Sequence, residues 1–140
     1  EYTIEYEVRA FTLEESREIF KTNPKLLSLN ELYRLAVSYE AGSNEYNEVF
    51  YAAALLYPED GIAQLNAANI AIQMKNYKLA SEYLSKVSDS PEKTHALGLL
   101  YLLQGENEKG IDLIKEAADK GVKEATANLK ELERRGGSID

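Results

Sequence analysis

The sequence predicts an all-α fold: an α-α superhelix of about three degenerate helix pairs, closed by a capping helix and preceded by one N-terminal β-strand. Three observations carry this. Apolar residues recur at i, i+3, i+4 and i+7, as in Leu32, Leu35, Ala36 and Tyr39, which gives the helix an inward stripe. Helix-start and helix-stop residues punctuate the chain at short intervals. The sequence also repeats itself: Leu35-Ala36, Ala67-Ala68 and Leu97-Gly98 recur at spacings of 32 and 30, and Phe50, Leu84 and Ile114 at 34 and 30. Ala53, Val87 and Ala117 follow three residues after the second set. A period of this size means a helix-turn-helix unit that buries its apolar face against its neighbours.

Along the chain, Tyr2, Ile4, Tyr6 and Val8 alternate with Glu1, Thr3, Glu5, Glu7 and Arg9, the pattern of a strand with one buried face. A lone strand leaves backbone donors and acceptors without partners. It must lie on the helices, pair with a second copy as a homodimer, or end the sheet of an upstream domain. The last is favoured, because the chain opens at Glu1 without Met. Thr12 with Glu15 forms a capping box for a helix with Leu13, Ile19 and Phe20 inward, closed by Asn23-Pro24. Ser28 with Glu31 opens the next, which runs through Tyr39 to the stop at Ala41-Gly42-Ser43. A helix from Ser43 to Tyr57 carries Tyr46, Val49, Phe50, Ala53 and Ala54 and ends at Pro58. Asp60 caps a helix with Ile62, Leu65, Ala68 and Ile72, turned by Lys75-Asn76 into another from Tyr77 to Val87. Ser90-Pro91 is an N-cap with proline at the first helical position, opening a pair that Lys120-Gly121 closes. A last helix spans Lys123 to Arg135. Residues 1–11 are thus read as strand, 12–135 as the helical domain and 136–140 as tail.

Composition bounds the function. A chain of 140 residues, 44% apolar and 29% charged, can bury a core without metal or disulfide. The net charge of −8 disfavours nucleic acid and anionic membrane surfaces, both of which reward Lys and Arg. No apolar run approaches the ~18 residues of a membrane span, so direct insertion is not expected. The absence of cysteine removes disulfides, thiolate catalysis and cysteine zinc sites, and is compatible with cytoplasm and periplasm alike. There is no Gly-rich phosphate loop, no Gly-x-Ser-x-Gly and no carboxylate pair in an apolar setting. No enzyme, cofactor, catalytic residue or metal site is therefore expected. His95, the single histidine, has Glu92 one turn before it, too few ligands for zinc, and is read as a structural helical residue. The tyrosines beside the helices suit half-buried packing better than a carbohydrate platform.

The repeat resembles the tetratricopeptide repeat. Leu97-Gly98, Tyr101, Gly105, Gly110, Ile114 and Ala117 match its motif in the best copy. Asn66, Ala68, Tyr77, Ala80 and Leu84 match it in the middle copy, and Leu35, Ala36, Tyr39, Phe50, Ala53 and Pro58 in the first. Small residues at Ala36, Ala68, Ala80, Gly98 and Gly110 would let helix axes approach to ~8–9 Å. Leu32, Gln64 and Thr94 stand where the motif often has Trp, so the copies are degenerate, and Lys130 in the last helix should end the stack.

The resemblance implies a concave face built by the first helix of each unit. Carried across, that face comprises Asn30, Tyr33, Val37 and Glu40, then Ile62, Leu65, Asn69, Ile72 and Gln73, then Glu92, His95, Leu99, Leu102 and Leu103. The candidate binding residues are Tyr33, Val37, Leu65, Asn69, Ile72, Gln73, His95, Leu99 and Leu102. Two readings follow. The leucines are covered by the chain's own N-terminal helix or strand, which makes the domain a structural spacer or oligomerisation element. Otherwise they form a groove for an apolar protein or peptide segment, with Tyr33, Asn69, Gln73 and His95 as polar handles. The carboxylate clamp of some tetratricopeptide proteins is disfavoured, since Leu65 and His95 hold clamp positions. The runs YEVRAF, LSLNELY, YEAGSNEYNEVF, YPED and LNAAN are further similar to a domain following an OmpA-like region in envelope proteins of Bacteroides-type bacteria. That likeness implies a periplasmic or cell-envelope location and a role in surface-structure assembly, with cytoplasm as the alternative.

Overall fold

The computed structural model describes residues 10–135, and among them every regular element is helical. The strand expected over 1–11 and the tail 136–140 fall outside the described residues, except Ala10 and Phe11, which are neither helix nor strand. The elements are α1 (Leu13–Thr22), a 3-10 turn (Pro24–Leu26), α2 (Leu29–Val37), α3 (Asn44–Leu56), α4 (Gly61–Gln73), α5 (Tyr77–Leu84), α6 (Pro91–Leu103), α7 (Asn107–Asp119) and α8 (Lys123–Arg134). The chain forms two compact units, dividing between Tyr57 and Pro58.

In the first unit, α1 and α3 pack on α2. Both helix starts are reciprocal capping boxes. Thr12 Oγ1 accepts from the Glu15 N–H at 3.1 Å while the Glu15 carboxylate accepts from the Thr12 N–H at 2.8 Å, and Ser28 and Glu31 repeat the exchange at the same two distances. The other oxygen of Glu31 accepts the Phe11 N–H at 2.7 Å, and Arg34 donates to the Phe11 carbonyl at 3.4 Å, so α2 fixes the entering chain. Leu27, Leu32, Leu35, Ala36, Val49, Phe50, Ala53 and Ala54 are buried. The Tyr46 ring meets Phe50 edge-on at 4.8 Å, and the Tyr57 hydroxyl donates to the Leu27 carbonyl at 2.6 Å.

Two expectations fail here. α2 stops at Val37 rather than running through Tyr39, because the Ser38 hydroxyl donates to the Leu35 carbonyl at 2.6 Å and the backbone tightens into i→i+3 bonds. In α1 the buried residue is Ser16, with Leu13, Ile19 and Phe20 only half-buried.

In the second unit α4 packs on α5, α6 on α7 and α7 on α8, and α6 also touches α4 and α5. Asp60 caps α4, Asn76 caps α5 and Ser90 caps α6 with Pro91 behind it. Ala68, Ala71, Ile72, Ala80, Leu84, Ala96 and Leu100 form one core cluster, and Ile114, Ala117, Val122 and Ala125 another. α5 ends at Leu84, short of the expected Val87, as Lys86 and Val87 close i→i+3 turns. Ile62 is 65% exposed on α4, while Ala63, Ala67 and Ala68 are buried.

The repeat is visible in the turns. After α4, α6 and α7 the chain reverses through a left-handed residue, Lys75 (φ 62°), Gly105 (φ 88°) and Gly121 (φ 97°). Each time the following N–H reaches back to the same helical carbonyl: Asn76 to Ala71 at 2.8 Å, Glu106 to Tyr101 at 2.9 Å, Val122 to Ala117 at 3.1 Å. Of the repeated core positions all are buried except Leu97, which is half-buried. α6 and α7 meet backbone to backbone, since a Cβ on Gly98 would stand 2.9 Å from the Gly110 carbonyl oxygen and one on Gly110 2.7 Å from that of Gly98.

Candidate binding cleft

Helical spacing places the cleft. On α4, Leu65, Asn69, Ile72 and Gln73 stand at i, i+4, i+7 and i+8; on α6, Glu92, His95 and Leu99 stand at i, i+3 and i+7. These two stripes face one cleft of about 370 Å³, which Val122 and Glu124 close from the start of α8. Its floor is aliphatic: Ile72 is 5% exposed, and Leu65 and Leu99 pack half-buried on the core. Its rim is polar, with Asn69, Gln73, Glu92 and Glu124 all exposed.

His95 forms part of the wall. Its Nε2 lies 2.7 Å from Asn128 Nδ2 of α8, a contact that suits a neutral ring accepting from the amide N–H. Burial lowers the His95 pKa from its ordinary value, and the Glu124 carboxylate opposes that shift only in part. Two carboxylates, Glu92 and Glu124, line the cleft, and none of the lining residues is Lys or Arg. Among the described residues no group of three or more His, Asp or Glu is placed to hold a metal ion, and no helix is long and apolar enough to cross a membrane.

Of the residues singled out from sequence, Leu65, Asn69, Ile72, Gln73, His95 and Leu99 come together here. Leu102 does not. It packs half-buried against Gly110 and the cluster of Ile114, Ala117, Val122 and Ala125 between α6, α7 and α8. Leu99 leans on the same cluster, so what covers both leucines includes the last helices of their own unit. Tyr33 and Val37 belong to the first unit, where the Tyr33 ring lies 5.7 Å from Phe50 and Val37 is 66% exposed on the last turn of α2. Val122 and Glu124 were not anticipated. The signal was present, because Asn128-Leu129 repeats Asn66-Ala67, and the same register sets Glu124 opposite Ile62 and Glu92.

No known protein family matches the chain, and no curated protein matches it either.

Proposed function

We propose that this chain is a non-catalytic protein–protein interaction module of the tetratricopeptide-like kind, its helix pairs continuing as a superhelix. In this reading it belongs to a cell-envelope protein, acts in the periplasm in surface-structure assembly, and holds a protein or peptide segment in the α4–α6–α8 cleft. The observation that carries the reading is the cleft itself. Equivalent positions of successive repeat units supply its walls, its floor is aliphatic and its rim carries hydrogen-bonding side chains, the make-up of a site for a short segment. The three equivalent turns support the repeat assignment.

A second reading, the structural spacer, draws on Leu102, and one side of Leu99, packing on the Ile114–Ala117–Val122–Ala125 cluster of their own unit. Site-specific photo-crosslinking in cells separates the two. A crosslinker at exposed Gln73 should give a discrete protein adduct that Asn69→Arg abolishes, while one at exposed Lys115 gives none. Equal adducts from both positions, or none from Gln73, favour the spacer.

A further inference from the structure

We infer that the segment taken by the cleft presents a cationic group, a Lys or Arg side chain, beside an apolar side chain. This rests on the docking reading above and adds the chemistry of the ligand. The aliphatic floor of Leu65, Ile72 and Leu99 suits one apolar side chain, and the cleft volume of about 370 Å³ is at the small end of the range for ligand sites. The charge at the rim is one-sided. Glu92 stands in the first turn of α6 and Glu124 in the first turn of α8, where helix dipoles alone favour acids.

What goes beyond the dipole is their convergence. Glu92 and Glu124, from different helices, face the same cleft, and none of its lining residues is Lys or Arg. The polar groups facing that space are Asn69 and Gln73 from α4, Glu92 and His95 from α6, and Glu124 from α8, with Asn128 of α8 against His95; no Lys or Arg among them offsets the two acids. An acidic segment would bring a third negative charge against two, whereas a cation finds two partners and the −8 chain draws it in. The amides of Asn69 and Gln73 are placed to bond the backbone of the segment.

The test uses the full chain and three otherwise identical short peptides holding Leu-Lys, Leu-Gln or Leu-Glu, with affinity read by calorimetry and the His95 ring titration by NMR. The Leu-Lys peptide should bind roughly five- to tenfold more tightly than Leu-Glu, the scale of two solvent-exposed ion pairs. Glu92→Gln with Glu124→Gln, both exposed positions, should erase that preference, and the bound Lys should lower the His95 pKa further. If Leu-Gln or Leu-Glu binds as well as Leu-Lys and Asn69→Arg weakens all three, the cationic assignment is wrong while docking in the cleft stands. If no peptide binds, or binding ignores Asn69→Arg, both fail.

Discussion

At the scale of single residues, two kinds of substitution to small side chains should act in opposite directions. Gly98 and Gly110 sit mid-helix, where alanine ordinarily gains about 1 kcal/mol from propensity. Here the new methyl would meet the backbone of the facing helix at under 3 Å. Overpacking of about 1–3 kcal/mol should win, so Gly98→Ala and Gly110→Ala each lower Tm by several degrees; a rise in Tm would refute the close α6–α7 contact. Lys75 is the reverse case, a residue with a Cβ held at φ 62° where Gly105 and Gly121 stand in the later turns. Lys75→Gly should stabilise by about 0.5–1 kcal/mol, read as a higher urea midpoint with unchanged m-value.

His95 makes stability depend on pH. Its folded pKa lies below the ordinary 6.5, so between the two values the unfolded chain binds more protons. Its contribution is therefore complete above about pH 6.5 and is lost as pH falls toward the folded pKa. The unfolding free energy of the wild type should decline across that interval more steeply than that of His95→Gln, and identical slopes would contradict a neutral, Asn128-bonded ring. Being the single histidine, its NMR titration is read without assignment.

At the scale of elements, helix starts and helix ends behaved differently. The caps at Thr12, Ser28, Ser43, Asp60, Asn76 and Ser90 are local devices, a side chain bonding an N–H three residues on, and their sequence signals are correspondingly complete. The ends of α2 and α5 were overrun in the sequence reading because apolar periodicity continues past them; Ser38 and Ser85 turn their hydroxyls onto helical carbonyls there.

Glu31 goes further than its motif. Burial opposes its ionisation, but the N–H groups of Ser28 and Phe11, the Ser28 hydroxyl and the Arg34 charge together hold its pKa below the ordinary value. Glu31→Ala removes the capping box and the Phe11 tie at once and should cost about 1–2 kcal/mol, measured by thermal or urea unfolding. Glu31 stabilises above its unfolded pKa and loses that contribution as pH falls through its lowered folded value, in a more acidic range than His95.

At the scale of the molecule, the second unit holds its own core clusters, and its helices are capped from within. A chain beginning at Pro58 should therefore melt cooperatively and keep its helical circular dichroism; a non-cooperative, low-helicity fragment would show that its core depends on the first unit. The cleft belongs to this unit alone, so the same fragment should keep the peptide preference of the intact chain.

Helical class, helix starts, the repeat period and most of the cleft were legible in the sequence, because capping is local and packing periodicity stamps itself on every turn. Repeat register alone sets Leu65, Asn69, Ile72, Gln73, His95 and Leu99 on shared faces of their helices, and these residues line the cleft. Tertiary structure decided the rest. It sent Leu102 inward against Gly110, set Tyr33 and Val37 in the other unit, and brought Glu124 to the cleft and Asn128 onto His95. Register gives the face of a helix, but whether a leucine on that face is floor or core depends on which helix arrives over it, and contacts across some thirty residues of chain, as between His95 and Asn128, are written in no local pattern.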